Sequence, residues 1–449
     1  MSRFARVKSR TDNLFYGWYV VAAAAGLQAL QAMLLMQGYG AYVAVFSEEF
    51  GWSKASLSGA AALQRVESGL LGPPQGWMIT RFGARRVMYT GNLILGVGFM
   101  LFSQINSLTT FYLCFLMMAV GASLSGFMSV MTTIVQWFER RRASAMAYTQ
   151  IGMSVGGMLV PVLAWSLVTF GWRETAFASG VITIVLGIPL IALMKEEPEK
   201  YGMLPDGRAP GDIADPTAAA AGAGATGGAH VVPSTQVEFT PRQALRTRAF
   251  WFIGFGHALA VLVVSSMMVH LVAHLKEGLG YSITGAAIIV SVMTAVTLVG
   301  QLIGGYLGDR YEKRLISAFC MFGHAAGLFA LAWGTSLLWV GFFTVAHGLA
   351  WGMRGPLMQA MRADYFGRRS FGVIMGFSSM VVMIGNVSGP LVAGITADAT
   401  GSYKTGFTIM AILAGLGSIF FFFATKPNPP APDPLTASDI GAPLAASGG

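Results

Sequence analysis

Charged residues are scarce in this sequence. Only 11% of its 449 residues are Asp, Glu, Lys or Arg, whereas 54% are hydrophobic. A soluble domain carries roughly 25% charged residues, so this scarcity argues against a water-soluble fold. The apolar runs are continuous rather than alternating, and each is near or above the roughly 20 residues that a helix needs to cross a bilayer. Because backbone groups in lipid must be hydrogen-bonded within helices or closed barrels, we predict an all-α membrane protein.

Cysteines and clusters of metal-ligating residues are scarce too. Cys114 and Cys320 lie inside apolar runs without His or Cys neighbours at ligand spacing, and we interpret both as packed residues. The sequence contains no phosphate-binding loop and no nucleophile elbow. It therefore predicts no enzyme, no metal site and no cofactor, and it argues against an ATP-driven pump.

The Lys and Arg residues are distributed in a way that predicts topology. With twelve spans, 23 of the 29 fall on the side of the two termini and 4 on the other side, while Arg65 and Arg354 lie inside spans. Basic residues concentrate in cytoplasmic loops, so we expect a multi-pass protein of the cell inner (plasma) membrane with both termini in the cytoplasm. The net charge of +9 is then explained by topology within the lipid bilayer, and no nucleic-acid partner is expected.

The two halves of the chain repeat each other at a near-constant offset. Gly51-Trp52-Ser53 matches Gly280-Tyr281-Ser282, and Pro161 matches Pro390. Parallel repeats of six spans are typical of transporters that rock two bundles about a site near the midplane. We therefore predict twelve transmembrane helices in two pseudo-symmetric six-helix bundles, acting as a monomer. The predicted segments are a cytoplasmic N-terminus (1–13), an N-terminal bundle (14–194), a partly disordered cytoplasmic central loop (195–248), a C-terminal bundle (249–425) and a disordered cytoplasmic tail (426–449).

The loop after the second span resembles that of the major facilitator superfamily, whose motif reads Gly-x-x-x-Asp-Arg-x-Gly-x-Arg-Arg. The matching residues are Gly76, Arg81, Gly83, Arg85 and Arg86, and in the second half Gly305, Asp309, Arg310 and Arg314. The resemblance covers essentially the whole chain and implies a cytoplasmic gate whose charges pair across the two bundles in one state. Thr80 replaces the first Asp of the motif, so we expect a weaker gate in the N-terminal half.

Shorter motifs resemble the monocarboxylate transporter and oxalate–formate antiporter group within that superfamily. They are Tyr16-Gly17-Trp18, Phe50-Gly51-Trp52-Ser53, Trp137-Phe138 before arginines, Gly171-Trp172-Arg173 and His270-Leu271-x-x-His274-Leu275. The resemblance implies small organic anions, mono- or dicarboxylates, as substrates. Members of that group often carry a basic residue in helix 8 or 11, which is absent here. The intramembrane arginines lie in helices 2 and 10 instead.

Arg65 and Glu67 lie near the middle of helix 2. An Arg at the bilayer centre costs roughly 2.5–3.5 kcal/mol, so it must face protein or water. Two residues apart on a helix, the pair cannot bind each other. Arg65 either binds a substrate carboxylate through its planar guanidinium or forms a structural pair between the bundles. Glu67 either carries a coupling proton or makes a structural hydrogen bond.

Helix 10 presents His347, Trp351, Arg354 and Met358 on one face. Arg354 and Trp351 are further candidates for substrate binding, and we expect Trp351 to hold Arg354 through a cation–π contact. The alternative is a snorkelling or gate residue near the inner surface.

Further polar residues inside spans are candidates for the cavity lining or for interhelical hydrogen bonds. They are Gln28, Gln31, Tyr148, Gln150 and Asn386. His270 and His274, at the end of helix 7, either form a proton-sensitive outer gate or are packed polar residues. We interpret His257, His324 and His347 as packed histidines.

Three functions remain open at this stage. The first is a secondary active transporter of small organic anions, driven by protons or by exchange. The alternative is an efflux transporter of neutral or amphipathic small molecules. The third is a non-transporting sensor, which a flux assay separates from the other two.

Overall fold

The computed structural model describes residues 15–207 and 238–429, and within these ranges the chain forms long helices and no strand. The predicted N-terminal segment, most of the central loop and most of the tail lie outside the described residues. The twelve long helices are α1 Gly17–Glu49, α2 Lys54–Phe82, α3 Ala84–Phe102, α4 Leu108–Trp137, α5 Arg142–Phe170, α6 Trp172–Leu193, α7 Arg248–Gly278, α8 Ile283–Gly308, α9 Lys313–Trp333, α10 Leu337–Phe366, α11 Phe371–Thr400 and α12 Tyr403–Phe423. The prediction of twelve membrane helices is confirmed.

Hydropathy by itself identifies fewer than twelve membrane helices. Within the described ranges, 9 helices are both long and apolar enough to cross a membrane. The other three are α2, α3 and α10, with 29, 19 and 30 residues. Arg65 and Glu67 lie in α2, and Arg354 lies in α10. These charged residues lower the mean hydropathy of the two helices, although both helices are long enough to span the bilayer.

The repeated Gly-aromatic-Ser motif is a turn followed by a helix cap. Gly51 and Gly280 adopt φ values of +64° and +74°, a region that favours glycine. Two residues later, the hydroxyls of Ser53 and Ser282 accept the backbone N–H groups of the first turns of α2 and α8. The same local physics therefore starts the second helix of each half.

Helix packing follows the same pattern in both halves. In the N-terminal half α1 packs on α5 and α6, α3 on α4 and α6, and α2 on α4. In the C-terminal half α7 packs on α11 and α12, α9 on α10 and α12, and α8 on α10. The halves contact each other chiefly through two helix pairs, α2 with α11 and α5 with α8. The prediction of two pseudo-symmetric bundles is confirmed.

The two halves meet near one end of the molecule, which we call the arginine-rich end because it carries Arg140–Arg142, Arg368 and Arg369. There α2 and α11 pack backbone against backbone: a Cβ on Gly376 would lie 2.3 Å from the carbonyl oxygen of Gly72. Gly305 of α8 packs on Ser144 and Ala147 of α5 in the same way. Glycine at these contacts lets the helices approach closely.

The opposite end, which we call the far end, is different. The far-end segments of α1 (Tyr39–Glu49) and α5 (Val160–Phe170) make their substantial contacts within the N-terminal half alone, as far as the described residues show. The halves are therefore closed against each other at the arginine-rich end, whereas these far-end segments make no substantial contact between them in the described ranges.

Candidate functional site

Arg65 lies where the two halves begin to separate. It lies about one helical turn before Gly69, the first of the glycines Gly69, Gly72 and Gly76 by which α2 packs on α11. The antiparallel contacts of Gly69 with Met383 and of Gly72 with Gly376 put Arg65 level with residues 383–387 of α11. That stretch includes Asn386, another predicted site residue. The Arg65 side chain is half-buried, and it makes no hydrogen bond or ion pair with the described part of the chain.

Glu67 points to a different neighbour. Its Oε2 accepts a hydrogen bond from the Ser123 hydroxyl of α4 at 3.1 Å, while its Oε1 is buried without a partner in the described ranges. Two turns along α2, Gln75 donates to the Ser123 carbonyl at 2.7 Å. Arg65 and Glu67 do not pair, as the helix geometry predicted. Glu67 belongs to a polar α2–α4 contact inside the N-terminal half.

The side-chain amides of the two glutamines of α1 differ in their hydrogen-bond partners. Gln31 donates to the Ser125 hydroxyl at 2.9 Å, so it joins α1 to α4. Gln28 is only 3% exposed, and its Nε2 has no partner among the described residues. Gln31 therefore has the interhelical role that the sequence left open, whereas the Gln28 amide is free to bind another group.

The predicted α5 residues point to different neighbours. Tyr148 is 45% exposed, and its ring packs against Trp18 at 5.8 Å between centroids, on the outside of the N-terminal half. Gln150 is buried with an unpartnered Nε2, and its Oε1 lies beside Gly355 of α10. Between these two residues, the buried amide of Gln150 is therefore the group near the seam between the halves.

Arg354 lies in the interior of the C-terminal half. It is 2% exposed, and its Nε and Nη1 are buried without partners in the described ranges. The predicted cation–π contact with Trp351 is not among the cation–π contacts of the described residues. Trp351 instead meets His347, at 6.2 Å between ring centroids.

The histidines that the sequence left as packed residues are paired. His324 of α9 and His347 of α10 are both 0% exposed, and their Nδ1 atoms lie 3.0 Å apart. The His257 ring accepts a hydrogen bond from Arg362 at 3.0 Å. Arg362 lies inside α10 and is buried. Sequence reasoning missed this cluster because its members come from three helices.

This C-terminal cluster contains cations and imidazoles but no acid. In the helices α7 to α12 the only carboxylates are those of Glu277, Asp364 and Asp398, all near helix ends. Asp364 pairs with Lys313 at 2.7 Å and with Arg142 of the other half. The two arginines and three histidines of the cluster therefore have no carboxylate counterion within these helices.

His270 and His274 use a ring nitrogen for packing near the far end. His270 donates from Nε2 to the Pro390 carbonyl at 2.9 Å, and His274 to the Leu331 carbonyl at 3.2 Å. Both rings also contact Tyr403. These contacts tie α7 to α9, α11 and α12 inside one half. No group of three metal-ligating side chains occurs in the part of the chain that the structure describes.

The gate motif contributes one strong contact between the halves. The Asp309 carboxylate accepts the backbone N–H groups of Ala143 at 2.8 Å and Ser144 at 3.2 Å, at the start of α5. Burial raises the pKa of Asp309, while the hydrogen bonds and Lys313 act in the opposite direction. Thr80, its counterpart in the repeat, donates instead to the Gly76 carbonyl of its own helix.

The arginines of the motif bind within their own halves. Arg85 lies over Tyr89 and Arg310 over Tyr306, while Arg314 binds Glu312 and the Phe422 carbonyl. The ion pair that crosses the halves is formed instead by Arg142, which is 1% exposed, and Asp364. Asp364, a lone acid among the basic residues at the end of α10 and in the turn after it, was the available signal for this pair.

Both described ends of the central loop also bind this end of the molecule. Asp206 accepts the backbone N–H groups of Glu139 and Arg140, while Glu238 accepts those of Arg368 and Arg369. These are equivalent turns of the two halves. The loop thus contacts both halves where they are closed.

A family model with the description Major Facilitator Superfamily matches residues 24–296 and 253–447 of the chain. The chain belongs to this superfamily. It is therefore a membrane-embedded transporter of small molecules and not an enzyme, and the twelve-helix fold is that of its family.

The names of two similar proteins describe two kinds of transport. Monocarboxylate transporter 11 of Mus musculus is 26% identical, with 90% of this chain and 87% of that protein covered. The agnestins efflux protein AgnL12 of Paecilomyces divaricatus is 25% identical over 78% of this chain and 73% of its own. Among solved structures, the human organic anion transporter MFSD10 shares the fold with a TM-score of 0.67 at 16% identity, covering 90% of this chain and 99% of that one.

Proposed function

We propose that this facilitator moves small organic anions, mono- or dicarboxylates, across the membrane by alternating access, driven by protons or by exchange. One observation carries the proposal: Arg65 lies in the middle of α2, at the seam between the halves, without a partner in the described ranges. An Arg at this depth costs roughly 2.5–3.5 kcal/mol unless it is solvated or paired. A bound carboxylate supplies the missing charge and accepts two N–H groups from the guanidinium.

The surroundings of Arg65 favour a ligand over a structural partner. Glu67, the nearest acid in sequence, binds Ser123 instead. On the facing helix, residues 383–387 contain no acid, but they contain the amide of Asn386. An amide at this level can bind a second polar group of the substrate. The similarity to a protein named monocarboxylate transporter 11 supports the same substrate class.

The orientation in the membrane is part of the proposal. We propose that the arginine-rich end and both termini lie in the cytoplasm of a plasma-membrane protein, because basic residues concentrate in cytoplasmic loops and this end is rich in them. The described conformation is then outward-facing. The two bundles, residues 14–194 and 249–425, supply both sides of the seam from one chain, so a monomer suffices for the cycle.

Efflux of neutral or amphipathic compounds is the second candidate function. The similarity to a fungal efflux protein favours it. In this case Arg65 has a structural role, and apolar and aromatic side chains bind the substrate.

A ligand panel tests the proposal. Purified wild-type protein is melted in the presence of carboxylates, amines and neutral amphipathic compounds. A ligand at 100 times its Kd stabilises the folded state by about 2.7 kcal/mol. We expect a carboxylate series to raise Tm and to be transported into proteoliposomes, and Arg65→Gln to abolish both effects.

Arg246→Gln is the matched control, because Arg246 is exposed beyond the short helix Pro241–Leu245. It should respond to carboxylates like the wild type. Stabilisation by amphipathic compounds alone, or an unchanged carboxylate response in Arg65→Gln, would contradict the proposal.

A further inference from the structure

The His324–His347 pair constrains where protons lie. With the two Nδ1 atoms 3.0 Å apart, one ring must donate a proton to the other. In the neutral pair, the donor ring therefore has a bare Nε2, and the acceptor ring carries its proton on Nε2. Both Nε2 atoms are buried without partners among the described residues. One buried nitrogen is thus an open position for a proton.

Protonation would change the hydrogen-bonding needs of the cluster. A singly protonated pair shares one proton between the Nδ1 atoms and carries N–H groups on both Nε2 atoms. Arg354 already has two buried N–H-bearing atoms, Nε and Nη1, without acceptors in the described ranges. The protonated cluster therefore presents donors from three side chains and needs an anion to accept them.

The titratable groups near Arg354, the charged residue that acts on the pair, are neutral or positive. They are His257 of α7, Cys320 of α9 and Arg362 of α10, while the membrane-spanning part of α8 and all of α12 contribute no acid. Arg354 acts electrostatically on both His324 and His347. Without an anion, an added proton is repelled by these arginines. With an anion at Arg354, the repulsion is offset.

We propose that His324 and His347 form the proton-coupling site of this transporter, taking up one proton when an anionic substrate binds next to Arg354. The inference rests on the proposed function, and it assigns coupling to a histidine pair in the C-terminal half rather than to Glu67. Proton and anion each favour the binding of the other, and this coupling is reciprocal by thermodynamic necessity.

The cluster is enclosed in the described conformation, but it adjoins one side chain that is only partly buried. Trp351 contacts His347, and it follows His347 by one turn of α10. Movement of this ring during the transport cycle would open the cluster to the seam between the halves.

Proton uptake on ligand binding tests the proposal. Purified wild-type protein in weak buffer with a pH indicator receives the carboxylate that raises its Tm most. We expect uptake of about one proton per bound anion, because the two bind together. His347→Gln should bind the carboxylate without proton uptake. In proteoliposomes it should bind and exchange the carboxylate more weakly than the wild type and lose accumulation driven by a pH gradient, because the bound proton no longer favours the anion.

Three further variants make the result decisive. His324→Gln repeats the test at the other ring, in case His347→Gln does not fold. His270→Gln is a matched control, because its ring serves only packing and should leave uptake unchanged. Glu67→Gln distinguishes the rival site, and it should also keep proton uptake.

The outcomes separate the two proposals. If the wild type binds no carboxylate, both the proposed function and this inference fail. If it binds and transports a carboxylate without proton uptake, only the inference fails. Uptake that survives His347→Gln or His324→Gln, or that disappears in Glu67→Gln alone, likewise overturns the assignment to the histidine pair.

Discussion

Removal of the Asp309 carboxylate should open the arginine-rich end. In the described conformation this carboxylate accepts two backbone N–H groups from the first turn of α5, at 2.8 and 3.2 Å, and so joins the two halves. Hydrogen bonds to charged groups contribute about 1.5–3 kcal/mol. Because Asp309 is only half-buried, we take a total of about 2 kcal/mol, which corresponds to a roughly 30-fold shift in the conformational equilibrium.

A cysteine reporter measures this shift. Ile79 is 5% exposed and packs on Gly372 across the seam, so it reacts with a maleimide only when the halves part at this end. The reporter Ile79→Cys is placed in a background with Cys114 and Cys320 replaced by Ala. We expect Asp309→Ala to label up to about 30-fold faster than its parent, and Asp309→Asn, which keeps one acceptor oxygen, to fall between them.

The control for this experiment is Asp398→Ala, because Asp398 is exposed near the far end. It should leave the labelling rate of the reporter unchanged. Equal rates in Asp309→Ala and Asp398→Ala would refute the argument that Asp309 holds the two halves together.

Three further predictions concern the same contacts. Thr80→Asp restores a carboxylate opposite the first turn of α11 and should stabilise the closed contact between the halves by about 1 kcal/mol. Labelling of the Ile79→Cys reporter should then slow several-fold, and an unchanged rate would contradict a role for a hydrogen-bond acceptor at this position. Gly376→Val introduces a Cβ that would lie 2.3 Å from the Gly72 carbonyl oxygen, so α2 and α11 should separate and the reporter should label faster. Gly415→Val is the control, because a Cβ there has open space around it and should not change the labelling rate. His270→Gln removes a 2.9 Å hydrogen bond to Pro390 and should lower the free energy of unfolding by about 1 kcal/mol while transport continues, which a melting curve and a flux assay check together.

Much of the gate was within reach of the sequence, but not the partners of its charges. The motif placed Asp309 at the end of α8, and the replacement of the equivalent acid by Thr80 predicted a weaker gate in the N-terminal half. The motif could not show that Asp309 binds backbone N–H groups rather than an arginine. It also gave no sign that Arg142 and Asp364 form the ion pair across the halves. Those partners are far apart in the chain and meet only when the bundles pack.

For the candidate site, too, the sequence predicts where residues lie along a helix but not which residues they contact. The depth of Arg65 and the impossibility of its pairing with Glu67 follow from the helix period and the length of α2. The choice of Ser123 as the partner of Glu67 depends on how α4 packs on α2. The histidines of α9 and α10 were single residues in unrelated apolar runs, and nothing in either run indicated that their rings lie 3.0 Å apart.

The class of protein, the twelve helices and the internal repeat can be predicted from the amino-acid pattern. These depend on local physics: apolar length sets a span, and a glycine turn with a serine cap starts a helix at the same point of each half. The packing of the helices was needed to show which end of the molecule is closed and which buried polar groups have hydrogen-bond partners. Such properties depend on contacts between helices that are distant in sequence, and the hydrophobic pattern of a membrane helix specifies that it spans the bilayer but not which neighbour it meets.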